Sequence, residues 1–259
     1  MADEKGYGDE PGGPEGGLHG DAPRRGLART IAKVGYATRR QAEEMVRSGR
    51  VTVDGRRELD PGATVTPESL IAIDDHQLID VIRTYLALHK PEDIAVAPIM
   101  GRRIRLVAEL LPRDTPGLRA AGRLDAGTSG LLLISNDSAW NADAAGSDEL
   151  EKEYLIKVAG PVTDALIDVI GAGVTAPKLG LLKPELVALE SREDKASTIR
   201  IALRGGKVRQ LRSLCTVLRL DLQAVHRVRV GPVLLGGLKP GRYRHLSRDE
   251  VEGIRRGSA

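Results

Sequence analysis

The chain has 259 residues and a mass of 27.8 kDa, room for one medium domain plus a small one. Hydrophobic residues make up 41 %, enough to bury a core, so wholesale disorder is excluded; Cys215 is the single cysteine, which excludes an intramolecular disulfide framework and any cysteine-cluster metal site. The net charge is only +3, aromatics are 2 % with no Phe, and no run approaches the roughly 18–20 apolar residues of a membrane span. The core must therefore be aliphatic, and recognition through several exposed aromatic platforms is disfavoured.

Charge is unevenly spread. Residues 1–23 carry six acids (Asp3, Glu4, Asp9, Glu10, Glu15, Asp21) against Lys5, with seven glycines and three prolines. Such a stretch buries too little apolar surface to offset ordering, so residues 1–24 are read as a disordered tail and not as a signal peptide. The sign then reverses: residues 24–57 hold ten bases and three acids. A short helix is expected over Leu27–Val34, closed by Gly35. A second opens at Thr38 with Gln41 in a capping box, buries Ala42, Met45 and Val46, and ends at Gly49. Val51 and Val53 alternate into a strand, Asp54-Gly55 is a tight-hairpin signal, and Ile71 with Ile73 closes a small sheet. This unit is set at residues 25–75. Its bases are either a solvated face or a binding surface for phosphate, which would give salt-sensitive and sequence-poor affinity.

A linker near Asp74–Asp80 leads to a larger unit, residues 81–257. Strands are expected at Tyr85–His89, Leu131–Ser135, Tyr154–Val158, Leu186–Leu189, Thr198–Leu203 and Val225–Val230, and helices at Ile104–Leu110, Thr163–Ile170 and Lys207–Leu218. Without regular βαβ alternation the fold class is α+β: a two-helix-plus-sheet module followed by a mixed, mainly antiparallel sheet domain.

Gly122-Arg123-Leu124-Asp125-Ala126-Gly127-Thr128-Ser129-Gly130 precedes the apolar run Leu131–Ile134. Glycines around one acid describe a tight turn before a buried strand. Asp125 is then either a partly desolvated carboxylate fit for nucleophile or base duty, or a residue that stabilises its own turn. The Asp-x-Gly-Thr-Ser spelling also occurs in phosphate loops of actin-like sugar kinases, but an N-terminal opening hairpin and a second phosphate loop are not evident here. Between Arg200 and Val230 stand eight bases (Arg200, Arg204, Lys207, Arg209, Arg212, Arg219, Arg227, Arg229) and one acid, Asp221. Arg209 and Arg212 share a helix face, and Arg227 and Arg229 alternate with valines, so a cationic surface is expected beside the carboxylate. The five histidines lack metal-ligand spacing, Cys215 reads as inert packing, and neither a Walker loop nor a dinucleotide fingerprint is present, so nothing demands a cofactor.

In this order the pieces resemble a known arrangement. Gly26–Asp74 resembles the S-four RNA-binding domain, through Ala37-Thr38-Arg39-Arg40-Gln41-Ala42-Glu43 and Gly49-Arg50-Val51-Thr52-Val53-Asp54-Gly55. The remainder resembles a bacterial ribosomal-RNA pseudouridine synthase of the RsuA-like family. The matching pieces are His89-Lys90-Pro91, Gly122-Arg123-Leu124-Asp125, Gly130-Leu131-Leu132-Leu133, Asn136-Asp137, Lys152-Glu153-Tyr154, Gly160-Pro161, Gly206–Arg212, Arg227–Pro232 and Leu238–Gly241.

The resemblance implies isomerisation of a uridine in structured RNA, without cofactor. It implies Asp125 as the essential carboxylate, Arg212 as its ion-pair partner, Tyr154 as the tyrosine stacked on the target base, and Arg123 at a neighbouring phosphate or in the opened site. RNA is expected to meet Arg29, Lys33, Arg39, Arg40, Arg47 and Arg50 of the first module, and Arg123, Lys207, Arg209, Arg227 and Arg229 of the second. A cytoplasmic monomer is the default, with ribosomal RNA as partner and no membrane association. The alternative is a non-catalytic RNA-binding or ribosome-assembly factor on the same scaffold. The sequence departs from the family at Ala126 and Gly127, which replace a basic and an acidic residue; at His89, which replaces Asn; at Ser213-Leu214-Cys215; and over Ser138–Leu150.

Overall fold

The computed structural model describes residues 25–66, 69–78, 82–146, 150–176, 180–205 and 208–257. The expected tail 1–24 and the candidate Lys207 lie outside the described residues.

The first unit comprises β1 (Arg25–Gly26), α1 (Leu27–Lys33), α2 (Arg39–Arg47), β2 (Val51–Val53), β3 (Arg56–Arg57), β4 (Thr64–Val65), β5 (Ile71–Ile73) and β6 (His76–Gln77). The capping box at α2 is present: the Thr38 hydroxyl accepts from the Gln41 N–H at 3.0 Å, and the Gln41 amide oxygen accepts from the Thr38 N–H at 2.9 Å. Asp54 and Gly55 take φ of 51° and 78°, the left-handed pair that a two-residue hairpin requires between β2 and β3. Leu27, Ile31, Ala42, Val46, Val51 and Ile73 form a separate aliphatic core, which leaves Arg39, Arg40 and Arg47 on the exposed side of α2.

The second unit runs β7 (Tyr85–Lys90), β8 (Ile94–Ala95), β9 (Arg105–Leu106), β10 (Arg119–Ala120), β11 (Ser129–Ser135), α3 (Ser138–Gly146), β12 (Glu151–Ala159) and α4 (Asp164–Ala172). It continues with β13 (Val174–Ala176), β14 (Gly180–Leu182), β15 (Leu186–Arg192), β16 (Ala196–Arg204), α5 (Val208–Val217), β17 (Leu222–Val230), β18 (Val233–Leu234), β19 (Tyr243–His245) and α6 (Arg248–Arg256). Among the described residues a nine-stranded sheet has the order β15-β16-β12-β17-β11-β7-β19, with β10 on β11 and β18 on β17. Every pairing in it is antiparallel except β11 with β17. One sheet face carries the larger core, where α4 and α5 contribute Ile170, Leu211 and Leu214; the other is covered by Trp140 and Ala144 of α3 and Ile254 of α6. The α+β reading holds.

The short strands β1, β4, β8, β10, β13, β14, β18 and β19 add to the expected set, and β6 corrects the linker expected near Asp74–Asp80, since His76 and Gln77 pair with β5 and extend the first unit's sheet. Three helical segments also differ from expectation. The segment expected as a helix over Ile104–Leu110 is instead strand β9 followed by a single 3₁₀ turn, Val107–Leu110. Pairing with β8 extends its start, and Glu109 closes the turn through the Leu106 N–H at 2.8 Å. Helix α3 went unread because only Trp140 and Ala144 are buried in it, too few for an apolar stripe. Helix α6 carries a legible capping box, Ser247 with Glu250, that the charge of its sequence masked.

The two units meet at backbone level. Gly117 has φ of +75°, and a Cβ there would lie 1.5 Å from the Gly35 carbonyl oxygen; a Cβ on Gly35 would lie 2.6 Å from that of Asn136. Asn136 in turn accepts from the Thr84 N–H and donates to the carbonyls of Ile82 and Pro116.

Asp137 fastens α3 to the sheet. Its carboxylate accepts from the N–H groups of Ala139 and Trp140 and the Tyr85 hydroxyl, and pairs with Arg255 at 3.1 Å and Arg83 at 3.3 Å. Burial pushes its pKa up, but the Trp140 N–H, the Tyr85 hydroxyl and the two guanidiniums outweigh that, so the group ionises below the usual carboxylate range. The stability it contributes is present above the unfolded carboxyl pKa of about 4 and is lost as pH falls through the lowered folded value. Asp137→Asn is expected to cost about 1–3 kcal/mol at pH 7 and to make the acid limb of a Tm-versus-pH curve shallower, both read by thermal denaturation.

Candidate active site

The turn before β11 is held at both ends by its neighbours. Leu124 is buried in the larger core, so Asp125 next to it points outward. The Asp125 carbonyl accepts from the Thr128 N–H at 3.1 Å, and Thr128 is fully buried. At Gly130, φ is +107° and a Cβ would stand 2.2 Å from the Arg227 carbonyl oxygen. Only glycine lets β11 and β17 approach so closely in their parallel register, Gly130 opposite Arg227.

Lys90 holds the turn from beneath. It ends the otherwise apolar β7, is fully buried, and donates to the carbonyls of Pro91 at 2.9 Å, Ile94 at 2.7 Å and Ala126 at 3.2 Å. The Asp93 N–H reaches the same Ala126 carbonyl at 3.1 Å. Burial pulls the Lys90 pKa down to about 8 against the opposing fields of Glu92, Asp93 and Asp125. No role was expected for Lys90; the available signal was a lone lysine closing a run of strand residues destined for the interior.

Beside the turn lies a pocket of about 460 Å³, a size that admits a nucleoside. Asp125 and Tyr154 both line it, with Arg123, Arg209, Arg227 and Lys152. Tyr154 is fully buried on β12, opposite Arg227 of β17 and Ile201 of β16, just past an irregularity in the β12–β17 register. The Arg227 Nε donates to the Leu131 carbonyl at 2.7 Å, which fixes its guanidinium against the pocket wall. Lys152, two residues before Tyr154 on the same strand face, is a buried pocket residue for which no role was expected.

Two expectations are corrected. Asp125 is exposed at the pocket rim and not desolvated, because burial of Leu124 turns its neighbour outward. Among the described residues Arg212 makes no ion pair with Asp125. From the exposed side of α5 it reaches past it to the Gly127 carbonyl and the Thr128 hydroxyl, both at 3.5 Å, and so braces the far limb of the turn.

The basic strip near β17 is also less cationic than its sequence. Neighbouring strands bring carboxylates to it: Arg229 pairs with Glu151 and with Glu153 at 2.8 Å, and Arg200 pairs with Glu153 and Glu190. Arg50 in the first unit is likewise held by Asp74, with one contact at 2.9 Å. Arg39 and Arg47 share Glu43 at 3.2 and 3.7 Å, whereas Arg29, Lys33 and Arg40 stand exposed without an ion pair among the described residues. Cys215 is buried in the larger core, and burial raises its thiol pKa to about 11, as suits a packing residue.

The RNA pseudouridylate synthase family profile matches residues 84–216, and the S4 domain profile matches residues 25–71. The chain belongs to the RNA pseudouridylate synthase family. Its relatives include an uncharacterised RNA pseudouridine synthase of Mycobacterium leprae, 31 % identical over 87 % of this chain and 90 % of that one. The ribosomal large subunit pseudouridine synthase B of Bacillus subtilis is 28 % identical over 88 % of this chain and 95 % of its own. The ribosomal small subunit pseudouridine synthase A of Vibrio vulnificus is 26 % identical over 84 % and 94 %. A crystal structure of a pseudouridylate synthase superposes with a TM-score of 0.60 at 25 % identity, covering 89 % of this chain and 99 % of that one. An S4 domain thus precedes a pseudouridine synthase domain, and RNA is the partner of this pseudouridine synthase. Among the described residues no helix is long and apolar enough to cross a membrane.

Gly130→Ala is expected to force β11 away from β17 and, with it, the Asp125 turn from Tyr154. Pseudouridine formation should fall at least tenfold, with a loss of Tm of several degrees. Lys90→Ala takes the ammonium from the carbonyls of Pro91 and Ile94 and leaves that of Ala126 with the Asp93 N–H alone, and should cost about 2–4 kcal/mol in urea denaturation.

Proposed function

We propose that this pseudouridine synthase isomerises one uridine of ribosomal RNA, with Asp125 as the carboxylate that engages the nucleoside. The observation that carries the reading is the shared pocket: an exposed carboxylate and a buried tyrosine face one nucleoside-sized space, ringed by Arg123, Arg209 and Arg227. The relatives named for both ribosomal subunits support ribosomal RNA as the substrate class.

The reaction breaks the N1–C1′ bond, turns the uracil within the pocket, forms C5–C1′, and moves the C5 proton to N1. No atom is gained or lost. Asp125 must come close to the sugar, and its exposure at the rim leaves it open to an incoming nucleoside. Docked RNA then covers the rim and excludes water from the carboxylate. Tyr154 lines the same pocket, which supports assigning it to stack on the uracil and to assist proton transfer at C5. The target must leave its stack, at a cost of a few kcal/mol. Arg123, next to Asp125, takes the flanking phosphate or fills the opened stack. Arg212 acts by bracing Gly127 and Thr128, so it is a positioning residue. The exposed Arg209 neutralises a phosphate at the pocket mouth, whereas Arg227, expected on an exposed basic face, is buried in the pocket wall and acts there on the nucleoside.

The S4 domain grips RNA backbone through the exposed Arg29, Lys33, Arg39, Arg40 and Arg47. The paired Arg50 and Arg229 contribute less, since their charge is already compensated. We take it to act as a monomer, and its ribosomal RNA substrate puts its work in the cytoplasm. The tail 1–24, the S4 unit 25–75 and the catalytic unit 81–257 are the working divisions.

Asp125→Asn is expected to reduce tritium release from C5-labelled uridine in RNA to background while RNA affinity stays within about twofold. Undiminished release would refute the assignment. Arg40→Ala should weaken RNA binding evenly across sequences and lower the slope of log affinity against log salt by about one, measured by filter binding.

A further inference from the structure

Lys152 is the cation of the pocket that the reaction as set out above leaves unused. It lines the same space as Asp125 and Tyr154. Arg123, Arg209 and Asp125 are exposed at the rim, whereas Lys152 is only 6 % exposed and Arg227 only 5 %. Strand β12 pairs with β16 without interruption from Glu151 to Ala159, so Lys152 and Tyr154 share one face, about 7 Å apart along the strand. Arg227 stands opposite Tyr154 on β17, about 5 Å away across the sheet. The two buried cations therefore flank the tyrosine, one along its own strand and one from the neighbouring strand.

Phosphates of a docked RNA meet the exposed arginines at the rim, which leaves the buried end of the pocket to the base. A base resting on the Tyr154 ring presents its edge to the groups beside that ring. Uracil offers two carbonyl oxygens there, O2 and O4, one on each side of N3. An ammonium carries three N–H donors, so a bond to the protein leaves others for a ligand. When N1 leaves C1′, the bonding electron pair stays on the uracil and its negative charge spreads over N1, O2 and O4. A donor at either oxygen strengthens as that charge develops, and an interaction that strengthens in the transition state lowers the barrier. The half-turn that brings C5 to C1′ runs about the N3–C6 line, and it exchanges O2 with O4 as it exchanges N1 with C5. A donor at one carbonyl before the turn therefore meets the other after it. C5 then gives an electron pair to C1′, its proton passes to N1, and the ring is neutral again.

We propose that Lys152 is a catalytic residue whose ammonium donates to a carbonyl oxygen of the target uracil and stabilises the anion formed as the N1–C1′ bond breaks. This deepens the pseudouridine synthase reading of the same pocket and rests on it.

The test uses the full chain under single-turnover conditions, with unmodified transcripts of small- and large-subunit ribosomal RNA made with either uridine or 5-fluorouridine. On the uridine transcripts, Lys152→Met is expected to slow tritium release from C5 about a hundredfold while RNA affinity by filter binding stays within about threefold. Lys152→Gln, which keeps an N–H donor without the charge, should lose less. The decisive comparison is the fluorinated RNA, because fluorine withdraws electrons and makes the uracil a better leaving group. Appearance of the rearranged fluorinated nucleoside, separated by chromatography after nuclease digestion, should be slowed by Lys152→Met only about tenfold or less. A lysine that merely packs would slow both transcripts equally. Equal losses on the two, an unchanged rate, or a loss confined to RNA affinity would overturn the assignment, as would failure of both variants to fold, read by Tm. The unmodified chain and Asp125→Asn are run alongside. Inactivity of the former or activity of the latter strikes the enzyme reading, while the outcomes above with those two controls as expected strike Lys152 alone.

Discussion

The pocket depends on one contact, the parallel approach of β11 to β17 at Gly130 and Arg227. A side chain at Gly130 would enter the Arg227 carbonyl, so the Asp125 turn sits where it does because a glycine follows it by five residues. β17 of that pair carries Arg227 to the pocket, and β12, on the other side of β17, brings Tyr154 opposite it. Lys90 adds the restraint from below. Its ammonium ties the Ala126 carbonyl to those of Pro91 and Ile94, joining the turn to the end of β7. An exposed carboxylate is thereby carried on a turn held from two sides.

Electrostatic design differs between the two units. In the catalytic domain much of the positive charge is internal currency between strands, Glu153 alone bridging Arg200 and Arg229. In the S4 domain, α2 and α1 leave Arg40, Arg29 and Lys33 exposed without such partners among the described residues. These unpaired bases are the charges left available for a phosphate backbone, the kind of contact that positions a nucleic acid and carries no sequence information. The glycine-to-glycine seam at Gly35 and Gly117 sets the spacing between the two tasks, and β10 runs from that seam directly to the Asp125 turn.

Legibility followed the range of the interaction. The Thr38–Gln41 box, the Asp54-Gly55 hairpin and the six longer strands of the main sheet rest on residues at most a few positions apart, and they could be read; the two- and three-residue strands β10, β18 and β19, defined only by their partners, could not. Helix α3 could not, since Trp140 and Ala144 are buried only because α6 and β11 happen to meet them. The same holds for the 3₁₀ turn at Val107–Leu110, whose preceding residues are drawn into strand by β8, and for Lys90, whose ammonium reaches 36 residues along the chain to the Ala126 carbonyl.

By itself the amino-acid order determined the fold class, the basic first module, the glycine turn bearing Asp125 and the family to which the pieces belong, because each is carried by local spacing and chain order. Only the tertiary structure decided which charges remain available and which way Asp125 faces. Ion pairs such as Arg229 with Glu153 join residues 76 positions apart, and the exposure of a carboxylate is set by what packs beneath its neighbour; both are properties of the assembled sheet, which no local pattern encodes.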